Sequence, residues 1–360
     1  MVPCANLIGF AGQELARKLP KVFGILLETT LGSVVEIILF MVLLSHNEFE
    51  VIRAAIMGSI LATLLLCLGL CFCAGGIRHP EQEFDEVISE VGSGLLLTAL
   101  VSSDFPPNSK LTIYSGLGLA VPTIFFVAVD GTGLATPTEL NDKVTSLSRV
   151  ASIFLMVAYL IYVWFQAHSH HGIFDAILEQ DEQRDRDRHI DLVKPKLTFT
   201  ECILALMISI ALVTIIAIGL VQEIPAIVEA RHVSEAFMGL ILVPLVEKAA
   251  EHLTAVDEAW DDQMNFALSH VLGATIQTAL FNAPLVVIVS WGLGKSMDLH
   301  FALFDIVVLV LAILVVGNFL RDQSSNYLEG ALCLIVYCII AAGAYYYPNS
   351  TKQDLVVANK

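Results

Sequence analysis

Two glutamates stand where a membrane chain tolerates charge least. Glu251 lies in Glu247-Lys248-Ala249-Ala250-Glu251-His252-Leu253-Thr254-Ala255, between the apolar runs 237–246 and 266–291. Glu36 lies in Leu31-Gly32-Ser33-Val34-Val35-Glu36-Ile37. A charge at a helix centre costs roughly 2.5–3.5 kcal/mol on insertion scales, so such residues face a protein interior or a water-filled cavity and mark ion paths. Two carboxylates of this kind supply oxygen ligands and negative charge to a hard cation. Desolvation and like-charge repulsion raise their proton affinity, so the same oxygens take protons when the cation leaves.

The elements that position them repeat. Glu36 precedes Gly58 of Met57-Gly58-Ser59-Ile60 by 22 residues, and Glu251 precedes Gly273 of Gly273-Ala274-Thr275-Ile276-Gln277 by the same 22, a constant offset of 215. Each copy carries one membrane carboxylate, the mark of an internal repeat.

Composition sets the solvent. Of 360 residues 56% are hydrophobic and 15% charged, with a mean hydropathy of +0.75. A soluble domain of this size does not need so much apolar surface, whereas a polytopic membrane protein does. The net charge of −17 argues against a nucleic-acid partner and suits a cation-handling protein. The seven cysteines lie mostly inside apolar runs without paired CxxC spacing, so neither a zinc site nor a disulfide framework is expected. The start of the chain shows no cleavable signal pattern.

Apolar runs of about 20 residues predict spans at 22–44, 51–76, 147–167, 199–221, 236–256, 266–291, 301–320 and 327–347. Residues 87–100 and 116–129 are each too short to span, and joined directly they would make a ninth. The polar stretch near 101–115 therefore reads as an insertion, with ends compatible with a retained intron; the alternative is an authentic re-entrant loop. Residues 1–12 are apolar but too short to span, and residues 13–21 read as a polar connector. Glu28 and Glu36, eight apart, share a face to within about 80°. Residues 168–198 form a histidine- and acid-rich linker, read as solvated or, more sharply, as a cation- or pH-sensing segment. The organisation expected is a first repeat over 1–167, that linker, a second repeat over 199–347 and a polar tail over 348–360. An odd number of spans per repeat would invert the second copy and bring both carboxylates to the midplane. The fold class expected is thus an all-α polytopic membrane protein of two inverted five-helix repeats, sodium/calcium exchanger-like, with its N-terminal helix missing or truncated.

These residues resemble the calcium/proton exchanger (CAX) family of the cation/calcium exchanger superfamily, as a divergent, fungal-type vacuolar member. Residues 247–256 follow the family's GNAAEHxTAV, and Gly32-Ser33-Val34-Val35-Glu36 resembles its GNAVE. The likeness continues through residues 261–264, 273–277 and 279–281, and through Ser325-Asn326-Tyr327-Leu328-Glu329-Gly330. It covers nearly the whole chain. It implies exchange of Ca²⁺ for H⁺ across an organelle membrane, typically vacuolar. The chain also departs from the pattern. Ser33 replaces Asn, Glu247 and Lys248 replace Gly and Asn, Ala274 replaces a Ser, and Glu28 stands where Asn is usual.

On this reading Glu36 and Glu251 hold the cation. Hydroxyls of Ser33, Ser59 and Thr275 and the Gln277 amide complete a shell of six to eight oxygens. Glu36, Glu251, His252, Lys248 and Glu28 couple protons or tune charge. Lys248, three residues before Glu251, shares its helix face. One arrangement pairs it with Glu28 and leaves Glu36 and Glu251 free. No cofactor is implied, the cation being cargo; the partners are Ca²⁺ or another cation, H⁺ and the bilayer, with a homo-oligomer possible. The alternatives are a monovalent-cation/H⁺ antiporter of altered selectivity, a non-transporting paralogue and a channel. An intramembrane protease would want HExxH, and His252 follows Glu251 without that spacing, so no enzyme is expected.

Overall fold

The computed structural model describes residues 1–16, 18, 31–89, 92, 119–131, 136–169, 171–184, 197–231 and 233–348. Glu28, the segment near 101–115, linker residues 185–196 and the tail from 349 lie outside the described residues.

The regular structure of the described residues is helical apart from one two-residue ladder. Helix α1 is Val2–Ala16 and α2 is Val34–Ser45. Helix α3, Phe49–Arg78, contains a π-helical turn at Ala62–Cys67. The short α4 is Val121–Val129, and α5, Pro137–Trp164, precedes α6, His171–Arg184. The second half holds α7, Phe199–Arg231, and α8, residues 235–247, with a π turn at Met238–Leu242. Helix α9 is Ala249–Trp260, and α10, Met264–Gly292, has its π turn at Thr278–Asn282. Leu303–Phe319 (α11) and Tyr327–Tyr345 (α12) complete the set. Strand β1, Gln82–Glu83, pairs antiparallel with β2, Ser324–Ser325, joining the loop after α3 to the loop before α12.

Among the described residues, helices α3, α5, α7, α10, α11 and α12 contain six segments long and apolar enough to cross a membrane. Two are unlike the rest. The apolar windows of α3 and α10 are 67% and 72% buried, against 22–39% for the other four. The molecule is therefore an all-α polytopic membrane protein with α3 and α10 at its centre. Elsewhere side chains such as Phe154, Ile161, Met207 and Ile339 turn outward, as a hydrocarbon solvent permits.

The offset of 215 governs the helices as well as the motifs. Residues 34 and 249, 49 and 264, and 68 and 283 all begin helical segments. The turns between the first two pairs each need one left-handed residue, and both use a short polar side chain that tolerates it, Asn47 at φ 61° and Asp262 at φ 65°.

Close approach of α3 to α8 joins the halves. A Cβ at Gly58 would overlap the backbone carbonyl of Leu240, and one at Gly239 would press on Ala54 and Val51. Small residues permit this contact, and it fixes α8 immediately before Glu247 and Lys248.

Three expectations are corrected. The span predicted at 236–256 is two helices meeting at Lys248, whose φ −90° and ψ −4° bend the chain between α8 and α9. The connector predicted to begin at Gln13 is helical to Ala16, because Ile8, Ala11 and Leu15 form one apolar face against Cys202, Leu206 and Val213 of α7. Helix α5 starts ten residues before the predicted 147, where Thr136 and Glu139 form a capping box and Pro137 occupies the first turn.

Candidate ion site between the two halves

Glu36 and Glu251 occupy equivalent positions, each the third residue of its helix. Unpaired N–H groups and the helix dipole favour an anion there, which lowers the cost of carboxylate at membrane depth. Each of these helices begins at a local irregularity, at Ser33 in the first half and Lys248 in the second.

One ammonium joins the two acids. Lys248 Nζ lies 2.9 Å from Glu36 Oε2 and 3.1 Å from Glu251 Oε2. The expected pairing with Glu28 lies outside the described residues, and Glu36 and Glu251 are not left free. The reason is the bend. It turns Lys248 toward α2, while the i,i+3 spacing keeps Glu251 within reach.

Glu36 is 1% exposed and held on several sides. Thr278 Oγ1 donates to it at 2.9 and 3.0 Å, and Asn282 Nδ2 donates at 2.9 Å. Both partners come from the π turn of α10. The Glu251 side chain is 33% exposed. Both acids line a cavity of about 40 Å³ with Glu247, Lys248, Gly32, and Ala5, Ile8 and Gly9 of α1. That is room for roughly one or two waters.

The remaining predicted residues are spread around this centre. Ser33 is buried at the start of α2. Ser59, buried on α3, has a hydroxyl in no hydrogen bond of ordinary geometry. Thr275 donates back to Val271 O at 2.7 Å. Gln277 is buried at the start of the π turn without lining the cavity. His252 is buried with Nε2 3.5 Å from Thr63 Oγ1, toward α3. Among the described residues, no three His, Cys, Asp or Glu side chains converge as a metal-holding group. The centre observed is two carboxylates on a lysine.

Thr278, Asn282 and Glu247 were not predicted as site residues. The repeat carries a signal for Thr278, which stands at the position equivalent to Thr63. Asn282, an amide inside an apolar run, was the other sign. Its Oδ1 is buried without a hydrogen-bond partner.

Away from the membrane centre, α6 docks on the start of α10. Asp181 accepts from the amides of Asn265 and Phe266 and from Asn265 Nδ2, at 2.8, 3.3 and 3.0 Å. Burial lifts its carboxyl above the usual aspartate range, against the pull of these N–H donors. This part of the linker, expected to be solvated, is a helix whose described side chains are mostly exposed and which docks through Ile177 and Asp181.

A family model for sodium/calcium exchanger proteins matches residues 1–167 and 202–346. The chain belongs to that family. It is 31% identical over 357 residues to vacuolar cation/proton exchanger 2 of Oryza sativa subsp. japonica, covering 98% of this chain and 76% of the relative. It is 29% identical to a Ca²⁺/H⁺ antiporter of Synechocystis, covering 97% of this chain and 89% of that one. Among solved structures it resembles native YfkE, with a TM-score of 0.74, 27% identity, and 96% of this chain and 89% of that chain covered.

Proposed function

We propose that this member of the exchanger family is a cation/proton antiporter, exchanging Ca²⁺ for H⁺ across the vacuolar membrane by alternating access. The relatives' names support the reading: a vacuolar cation/proton exchanger in rice and a Ca²⁺/H⁺ antiporter in Synechocystis. The carrying observation is a pair of equivalent glutamates, one from each half, at helix N-termini on one cavity and close enough to share an ammonium. An ion-exchange site needs oxygens that can hold either a metal ion or protons, and two membrane carboxylates provide them. A structural role alone would not need both.

Lys248 favours a second reading, altered selectivity toward monovalent cations. Its ammonium occupies oxygens that a divalent ion would need, and it opposes positive charge there. Purified full-length protein in liposomes, under an imposed pH gradient, decides between the two. The first reading expects proton-driven ⁴⁵Ca²⁺ uptake that collapses with the gradient. Uptake of ²²Na⁺ without Ca²⁺ establishes the second, gradient-independent flux identifies a channel, and no flux of either ion overturns exchange.

A further inference from the structure

Beside the bridged pair is a third acid. Glu247 is 4% exposed and lines the same cavity as Glu36, Lys248 and Glu251. The polar group nearest to its carboxyl is the Ser59 hydroxyl, which acts on it without reaching good hydrogen-bond geometry. The charges acting on it are those of Glu36, Lys248 and Glu251. A buried carboxylate with no more than one neutral hydroxyl beside it is costly, while the neighbouring ammonium has two carboxylate partners. Lys248 sits at the bend between α8 and α9. Adjacent residues on a regular helix do not face one another; at this bend both side chains reach one cavity.

A cation arriving at Glu36 and Glu251 must displace the Lys248 ammonium. Left without an acceptor at this depth, the ammonium would oppose the cation by desolvation and by charge. Glu247 offers a carboxyl that no cation occupies within the same cavity, with only the Ser59 hydroxyl beside it. We propose that Glu247 is the alternate seat of the Lys248 ammonium, which releases Glu36 and Glu251 when a cation arrives and takes them back when it leaves. Glu247 is then a positioning residue, acting on the cation through Lys248. No bond is made or broken, and positive charge is never stranded. The inference rests on the reading of Glu36 and Glu251 as the cation's ligands.

Equilibrium binding of ⁴⁵Ca²⁺ and ²²Na⁺ to the purified full chain tests it in four proteins: wild type, Glu247→Gln, Lys248→Asn and the double variant. Glu247→Gln is expected to weaken binding of the accepted cation by about tenfold or more, equivalent to ~1.4 kcal/mol. Lys248→Asn is expected to tighten it, and the double variant to match Lys248→Asn, since an empty seat is irrelevant without its occupant. Glu247→Asp, which keeps the charge, restores binding toward wild type and separates loss of the seat from misfolding. If Glu247→Gln does not itself fold, Glu247→Asp alone decides: its smaller loss of affinity must vanish in the Lys248→Asn background.

An equal loss with or without Lys248 makes Glu247 a direct ligand and overturns the proposal. So does an unchanged affinity in Glu247→Gln, or an absence of binding in all proteins. Flux in liposomes is scored separately. Binding with the expected epistasis but no proton-driven flux defeats the exchanger reading and keeps the seat, and flux without epistasis does the reverse.

Discussion

Helices α2 and α9 have twelve residues each and carry a glutamate at the same position, yet the two glutamates meet different surroundings. Glu36 is closed in by Thr278, Asn282 and Lys248. Glu251 meets Lys248 and keeps a third of its side chain open. The difference comes from the opposite half. Thr278 and Asn282, in the π turn of α10, hold Glu36. Their counterparts in the first repeat are Thr63 and Cys67, and Thr63 lies toward His252 while Cys67 brings no amide. One carboxylate is thus held on several sides and the other rests on Lys248 with part of its side chain open, although the backbone repeats.

The strongest way to break this comparison is to remove each acid. Glu36→Ala leaves Thr278 and Asn282 without their acceptor in the interior and Lys248 without one of its two carboxylates, and is expected to cost about 3–5 kcal/mol, the range for one partner lost from a buried ion pair. Glu251→Ala, partly screened by solvent, is expected to cost under ~1 kcal/mol. Both abolish proton-driven flux. Thermal unfolding in detergent reads the first difference and liposome uptake the second; equal losses of stability would mean that Glu251 is as firmly held as Glu36.

Steric room differs between the halves too. Gly58 and Gly273 are equivalent by the same offset, but only Gly58 touches backbone across the interface; nothing lies within 4 Å of a Cβ built at Gly273. Gly58→Ala must push α3 from α8 and is expected to cost about 3 kcal/mol, the upper end for overpacking. Gly273→Ala is expected to be neutral or slightly stabilising in the same melt. A smaller effect separates the two threonines. Thr278→Val removes a donor shared by both Glu36 oxygens, for about 2 kcal/mol, and Thr63→Val is expected to cost under ~1 kcal/mol, because its hydroxyl donates back to Ser59 O of its own helix at 2.8 Å and meets His252 only at 3.5 Å. Matching losses would show that hydroxyl hydrogen bonding does not set the asymmetry.

Much of this was legible in the residues. Periodic apolar runs and a constant offset locate the central helices, because burial in lipid and duplication both write themselves locally. Glu36 and Glu251 stand out because charge in an apolar run is costly. The partner of Lys248 was not legible. Glu28 and Glu36 share a helix face by spacing alone, and only the bend at Lys248 turns the ammonium toward Glu36. The π turns were equally hidden, and although Thr278 and Asn282, four apart, share a face on any helix, nothing in the residues says that this face meets Glu36. The docking of helix α6 was hidden for a related reason: its composition is that of a solvated segment, most of its described side chains are exposed, and only Ile177 and Asp181 turn inward, the aspartate onto a helix N-terminus.

That contact gives the smallest and last difference between the halves. Helices α3 and α10 begin at equivalent positions of the repeat, and neither is capped by its own N-cap side chain, Glu48 or Gln263. Only α10 has a donated cap, from Asp181. The Asp181 carboxyl titrates above its ordinary 3.8 when docked, so the docked state binds protons more tightly than the undocked one. Its titration then contributes most to docking below the ordinary aspartate range and is lost as pH rises through the docked value. Hydrogen exchange at the amides of Asn265 and Phe266 is expected to show more protection in acid than near neutrality, after correction for intrinsic rates. Asp181→Asn should flatten that pH dependence, and exchange at the start of α3 should not respond. Protection that grows toward alkaline pH would mean that the N–H donors outweigh burial, and that the cap works as a carboxylate.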